Sequence, residues 1–539
     1  MKRSTRFLAA TLICAVPALP HMAAAQAPAI PPTLITPDTV DTRIGKLEFK
    51  DGAPSKDTVE KVYDTLDFTR ALDSYLNSFG GASAYALCQG FASIGAPDNT
   101  IVLFSELMDS KSLFLTPNAD TVYYLGCIDL TKGPMVLEQP PKGLGTINDM
   151  WFGWIIDVGF PGPDRGEGGR YLLLPPGYDG PVPEGGFYVA RSKTNRVLYG
   201  LRAFLTDNDP KPTAELIKKT LKLYPYTPGG LGTSIATAME GKIRLEVNPP
   251  IPATKFVEAS GKSFNTIPPS DAAFFDMINA NVQQEPADSY DRELAGQMAA
   301  IGIVKGKPFN PDARMRKILT DAAAAGNAAG RVLNWRPRES LDWAYYPGSS
   351  WSSMLWQGGY TFETPPPMIT KEGFFKPLPT TGARTLDSKT AFYYAYTLDS
   401  PGMIMRLPRV GSQYLMGFLD AEKKDLDGGK TYKVTLPKGI PAAAFWSFTL
   451  YDNQSRSMLD TPQRYPRAGS QSYPTPAAEA NADGSTTVYF GPTQPAGVKP
   501  GNWIQTMPGK GWWTILRLYS PLEPFFTKEW RVSEVELVK

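Results

Sequence analysis

The residues best placed for chemistry stand around a short motif, Asn118-Ala119-Asp120-Thr121, just before a run that reads as a strand from Thr121 to Leu130. That run carries Tyr123 and Tyr124. A carboxyl set against aromatic walls is poorly solvated, so its pKa rises and it can serve as a general acid near neutral pH. Side chains alternate along a strand, which puts Tyr124 and Gly126 on one face and Tyr123 and Leu125 on the other. Asp120, Tyr123 and Tyr124 are therefore the candidate catalytic residues. Asn118, with Trp151 and Trp154 beyond a Gly/Asn turn, would line the same pocket and bind a substrate. The competing reading makes Asn118 and Asp120 turn formers, with an exposed Asp120 bonded to backbone amides and its pKa lowered. Arg464 and Arg517 suit a carboxylate or sulfate, or else internal ion pairs.

What is missing narrows the chemistry. The single histidine is His21. It lies within an N-terminal stretch that reads as a signal peptide: Lys2, Arg3 and Arg6, an apolar run from Phe7 to Ala18, and Ala23-Ala24-Ala25 before Gln26. Cleavage after Ala25 would leave a periplasmic or secreted chain without histidine. Ser-His-Asp and Cys-His catalysis, and histidine-ligated zinc, iron or copper, would then be excluded. Cleavage lowers Lys+Arg from 55 to 52 against 53 acids, a net charge of about −1. Such a balance indicates no nucleic-acid partner. No later apolar run is long enough to span a membrane. Cys88, on a predicted helix, and Cys127, on a nearby strand, form a disulfide or remain two buried thiols. Asp425-Leu426-Asp427-Gly428-Gly429 resembles part of a calcium loop without its remaining ligands, and reads as a turn. No metal site and no cofactor is expected.

The elements that must hold these residues are mostly strands. Pro at 51 and Gly at 49 fit many turns between short strands. Ser55 begins a helix whose apolar face shifts near Asp67 and which Gly80-Gly81 ends, and a second helix runs from Ala82 to Ile94. Strands are expected at Met135–Glu138, Trp151–Val158, Arg170–Leu174, Phe187–Arg191 and Val197–Phe204. Helices return at 271–336, one starting at Asn310-Pro311-Asp312. An aromatic stretch (Trp343, Tyr345, Tyr346, Trp351, Trp356, Tyr360, Phe362) either packs between domains or stacks on a ligand. Strands resume at Tyr432–Leu436, Ala444–Tyr451, Thr486–Phe490 and Trp512–Tyr519.

Two sets of motifs carry a family resemblance. TPNADTVYYLGCIDLTKGPMVLEQPP (116–141) and GRYLLLPPGYDG (169–180) resemble the bacterial domain-of-unknown-function family 1254. FWSFTLYDNQSRSMLDTPQRYP (445–466), NADGSTTVYF (481–490), GNW (501–503) and ILRLYSP (515–521) resemble its companion, family 1214. The phrase IGIVKGKPFNPD (301–312) is similar to the stretch that links them. Members often show a Tyr-Ser pair after the Asp-Thr-x-Tyr motif, where this chain has Tyr124-Leu125. The resemblance implies an α+β, mainly β protein: two β-sandwich domains, the second jelly-roll-like, with helices packed around the first. The expected layout is a signal peptide at 1–25, an extended arm at 26–54 and a first domain at 55–255. A helical segment at 256–340, a linking region at 341–385 and a second domain at 386–539 follow. Three functions fit: a histidine-independent hydrolase or lyase acting on a glycan or small organic acid; a periplasmic carbohydrate or small-molecule binding protein; and a structural, homo-oligomeric protein.

Overall fold

In the run TVYYLGCID nearly every residue is apolar or small, and a strand of that kind is stable only when covered on both faces. The computed structural model, which describes residues 30–353, 359–363, 368–369, 375–376, 383–405 and 407–539, buries it accordingly. The chain is α+β and mostly β. It divides into two compact units, with the boundary between Thr65 and Leu66. The described part of the first unit, expected as an extended arm, contains a small sheet of Thr39–Thr42, Gly45–Lys50 and Ala53–Pro54.

A long helix, α1 (Lys56–Ser93), precedes the second unit's sheets. It runs unbroken through Gly80-Gly81, which were expected to end it. The glycines are there for close approach: a Cβ at Gly81 would strike the Trp151 ring, and one at Gly80 would lie 3.1 Å from the Trp151 carbonyl oxygen. Cys88 on α1 is joined to Cys127 in a disulfide.

The first large sheet contains β1 (Thr100–Leu103), β2 (Thr121–Asp129), β3 (Gly143–Asp149), β4 (Trp154–Gly159), β5 (Arg196–Phe204) and β6 (Lys255–Glu258), in the order β6-β1-β2-β5-β3-β4. Only the β6–β1 pair is parallel. A helix, α2 (Ala313–Trp335), follows, capped by Asp312 two residues later than expected. The second large sheet contains β7 (Trp351–Ser352), β8 (Ser412–Gly417), β9 (Ala442–Asp452), β10 (Arg467–Gly469) and β11 (Trp512–Pro521), ordered β7-β8-β11-β9-β10 and antiparallel throughout. A four-stranded sheet of Trp503–Gln505, Thr486–Gly491, Tyr432–Leu436 and Glu536–Leu537 shares its core. Among the described residues no helix is long and apolar enough to cross a membrane. Much of the linking region expected at 341–385 lies outside the described residues, as does the expected signal peptide.

Candidate functional site

The register of the two large sheets builds the site. Across the first sheet Tyr123 on β2 lies opposite Arg202 on β5, and Arg202 lies opposite Leu144 on β3. Alternation then puts Tyr123 and Leu125, Leu198, Gly200 and Arg202, and Leu144 and Thr146 on one face. All of them line a cavity of about 130 Å³. The second sheet contributes Tyr414 on β8 and Arg517 on β11, which are also register partners. The segment between the sheets adds Tyr396, Leu398, Ser400 and Met403, and α1 adds Leu87 and Phe91. Gly200 makes room for this arrangement, since a Cβ there would collide with the Leu398 side chain.

One end of the cavity is polar and cationic. Arg202 Nη2 donates to Ser412 Oγ at 2.8 Å and to the Tyr414 hydroxyl at 3.3 Å. Ser412 Oγ in turn donates to Tyr414 at 2.9 Å. The Arg517 guanidinium lies 5.0 Å from the centre of the Tyr414 ring. It donates to the Tyr451 hydroxyl and, at 2.8 Å, to the Thr116 carbonyl, while its Nε has no partner among the described residues. Among those residues neither Arg202 nor Arg517 forms an ion pair with a carboxylate. Burial alone would raise the Tyr414 pKa, but the two guanidiniums and the Ser412 hydrogen bond outweigh it and bring it down to about 8. Tyr123 goes the other way: burial pushes its phenol up, against the pull of Arg202.

Asn118 earns its place behind this wall. Its Nδ2 donates to the Tyr123 hydroxyl at 2.5 Å, and its Oδ1 accepts from Asp120 N and Thr121 Oγ1. It holds Tyr123 and does not itself line the cavity.

Asp120 is neither at a pocket mouth nor exposed in a turn. Its side chain is 0% exposed and points to the second sheet, where Arg467 Nε donates to it at 2.7 Å. Ser447 Oγ donates at 2.6 Å and the Tyr519 hydroxyl at 3.0 Å. The carboxylate is thus consumed by an internal ion pair and two hydroxyls. Tyr124 faces away from the cavity and accepts a hydrogen bond from Gln139 Nε2 at 3.0 Å. Trp151 packs on Tyr290 and donates to Ser289, while Trp154 is 41% exposed against the edge of Tyr360. Neither tryptophan lines the cavity: Trp154 stands on β4 at the sheet's edge, and Trp151, in the turn before it, packs against Gly81 of α1 and against Tyr290. Arg464 pairs with Asp109 at 2.9 Å and Glu106 at 3.1 Å. Of the two arginines singled out in the sequence, only Arg517 reaches the cavity.

The aromatic stretch divides. Tyr345, Tyr346 and Trp351 donate to the carbonyls of Phe525, Trp530 and Ser533 and belong to the second core. Trp343 and Phe362 belong to the first, and Trp356 lies outside the described residues. The Asp425–Gly429 segment is a turn, with Gly429 N donating to Asp427 Oδ1.

Arg202 and Tyr414 are the site residues that the sequence reading missed. A lone arginine inside the apolar run RVLYGLRAF is a signal that was there to be read. A charged side chain in a central strand needs a polar destination.

Comparison with protein families follows the division between the two sheets. The family described as Protein of unknown function (DUF1254) matches residues 99–225, and Protein of unknown function (DUF1214) matches residues 411–523. The chain carries a DUF1254 domain followed by a DUF1214 domain. The DUF1254 match contains Tyr123 and Arg202, and the DUF1214 match contains Tyr414 and Arg517. Each domain thus gives the cavity one guanidinium together with the phenol opposite it in register. No curated protein matches the chain. Among solved structures, the VPA0106 protein from Vibrio parahaemolyticus is 17% identical, with a TM-score of 0.49 over 88% of this chain and 100% of its own. An uncharacterized protein from Burkholderia cenocepacia is 13% identical, with a TM-score of 0.35 over 89% of this chain and 97% of its own.

Proposed function

We propose that this protein binds a small organic acid in the cavity between the two large sheets, with the acid's carboxylate at Arg202 and Arg517 and its apolar body among Leu125, Leu144, Leu198 and Leu398. The observation that carries the reading is the pair of guanidiniums at one end of an apolar cavity, with no carboxylate among the described residues to neutralise them. Withdrawing two like charges from water costs several kcal/mol unless counter-charge is supplied. A bound anion supplies it, and bidentate geometry favours carboxylate. The apolar lining favours an acid over a glycan, whose hydroxyls would be left unpaired.

Calorimetric titration with octanoate and with octanamide tests the proposal. Octanoate should bind about tenfold or more tightly than the amide, a difference of roughly 1.4 kcal/mol or more. Equal affinity for the two, or none for either, would refute it.

The same reading takes the chain to be exported to the periplasm. The basic residues Lys2, Arg3 and Arg6, the apolar run and the Ala23-Ala24-Ala25 site support a signal peptide cleaved after Ala25. An intact mass that still includes residues 1–25 in protein from the periplasm would refute this part. The core shared by the five-stranded and four-stranded sheets supports a jelly-roll-like second domain.

A further inference from the structure

We propose that the cavity is catalytic toward 2-oxo acids with an apolar body: Tyr414 removes a proton from the carbon beside the keto group, and Tyr123 protonates the keto oxygen. This rests on the organic-acid reading and adds an activity to it.

The argument starts from hydrogen-bond direction. Arg202 spends one N–H on Ser412 Oγ and one on the Tyr414 oxygen, and Ser412 therefore turns its own proton to Tyr414. Two donors aimed at one phenol oxygen favour the phenolate. Arg517 adds a second positive charge over the ring. Tyr123 is arranged differently. Its oxygen accepts from Asn118 Nδ2 and also feels Arg202, but burial outweighs both and keeps the phenol protonated, with its own proton free to enter the cavity that it lines. Two like groups held in opposite protonation states by their surroundings are the pattern of an acid–base pair. The depressed Tyr414 pKa and the raised Tyr123 pKa agree with that assignment.

The step balances without an oxidant or reductant. The Tyr414 phenolate oxygen takes a proton from C3 of the bound 2-oxo acid. The C–H electron pair forms the C2–C3 double bond, and the carbonyl π pair moves to the C2 oxygen. Tyr123 gives its proton to that oxygen, and the product is the enol. The phenols reset as Tyr414 releases one proton to solvent and Tyr123 takes one up. The carboxylate stays at the guanidiniums throughout and fixes C3 near the phenols.

Phenylpyruvate in D2O is the probe, with its C3 protons followed by NMR and its binding followed by calorimetry. The native protein should accelerate exchange over buffer alone. Tyr414→Phe should lower that acceleration roughly 100-fold, a typical loss for a general base, while phenylpyruvate still binds. The groups facing Tyr414 are Arg202, Arg517, Ser412, Tyr123, Tyr396 and Tyr519. Of these only Tyr414 is brought down near neutrality, so the rate should rise with pH through about 8. Ser412→Ala removes one donor and should move that rise to higher pH, which loss of packing alone would not do. Phenylpyruvate that binds without faster exchange overturns the activity and leaves the organic-acid reading standing. A full rate in Tyr414→Phe, or a rate that does not rise near pH 8, overturns the role of Tyr414. Failure of both phenylpyruvate and octanoate to bind removes the underlying reading instead.

Discussion

Arg517 stands opposite Tyr414 across the β8–β11 ladder, its guanidinium carbon 5.0 Å from the centre of the phenol ring. The pairing recurs in the other sheet, where Tyr123 stands opposite Arg202. The two arginines differ in what else they hold. Arg517 satisfies the Thr116 carbonyl and the Tyr451 hydroxyl deep in the interior, whereas Arg202 holds the hydroxyls of Ser412 and Tyr414 and lies near Tyr123 and the Tyr519 ring.

Replacement should separate these roles. Arg202→Met removes the charge, and its acceptors Ser412 and Tyr414 keep the hydrogen bond between them, so stability in urea should stay within about 1 kcal/mol of native. Carboxylate affinity should fall about tenfold or more, the worth of one charged hydrogen bond. Arg517→Met should lose both affinity and roughly 2–4 kcal/mol of stability, because it leaves its acceptors unpaired. Equal stability losses in the two variants would contradict this division.

Asp120 is predicted to be structural. Asp120→Asn leaves Arg467 charged and buried without its counter-ion, and a broken buried pair of this kind costs about 3–5 kcal/mol. Arg464→Ala removes a half-exposed arginine but leaves the buried Asp109 carboxylate without it, and should cost less, about 1–3 kcal/mol. Urea denaturation of both variants, with octanoate affinity measured on whatever remains folded, reads the outcome. A stable Asp120→Asn protein that has lost octanoate binding would return Asp120 to the ligand site.

Asp157 gives a pH signature. Burial pushes its carboxyl up to about 6, although it accepts a hydrogen bond from Gly402 N. Below pH 3.8, the usual aspartate value, the group is protonated whether the chain is folded or not. Between there and about 6 the unfolded chain binds fewer protons than the folded one, so stability falls as pH rises; above about 6 the loss is complete. Asp157→Asn removes this contribution. Relative to native protein it should gain roughly 1–3 kcal/mol between pH 4 and pH 7 in urea denaturation. A difference that does not change with pH would show that Asp157 is not held protonated.

The Cys88–Cys127 bridge ties α1 to β2 and spans 39 positions of sequence. In the chain-entropy account a loop of that length contributes roughly 3–4 kcal/mol. Cys88→Ala with Cys127→Ala should lower the denaturation midpoint accordingly. Thiol titration of unfolded, unreduced native protein should find neither cysteine free. Two reactive thiols there would remove the bridge and the stability argument with it.

The strands were legible wherever apolar residues ran together. Thr121–Asp129, Arg196–Phe204 and Trp512–Pro521 lie where the runs TVYYLGCID, RVLYGLRAF and WWTILRLYSP place them. Ser412–Gly417 was not marked, because Gly411 and Gln413 dilute its start and Gly417 its end, and Tyr414 went unnoticed with it. Gly80-Gly81 were read as a stop because glycine is the usual helix terminator. The reason for them, the Trp151 ring, lies some 70 residues further on and cannot be seen in a local window. Asp120 was read as a pocket acid or an exposed turn former, whereas its buried carboxylate meets Arg467. That partner is 347 positions away, and no spacing rule connects them. The face that each residue of a strand takes followed from alternation, but which strands pair and which sheet faces which did not, and the cavity exists only in those relationships.

The division of the cavity's two guanidiniums, each with its register-paired phenol, between the DUF1254 and DUF1214 domains has a consequence for inheritance. On the organic-acid reading neither domain by itself carries a complete head-group contact, so a fragment of the gene would inherit one guanidinium without the other. A chimera would face the tyrosine and arginine of one ancestor with whatever the other ancestor used for its own ligand. Selection on what the cavity binds therefore acts on the two domains as a single heritable trait.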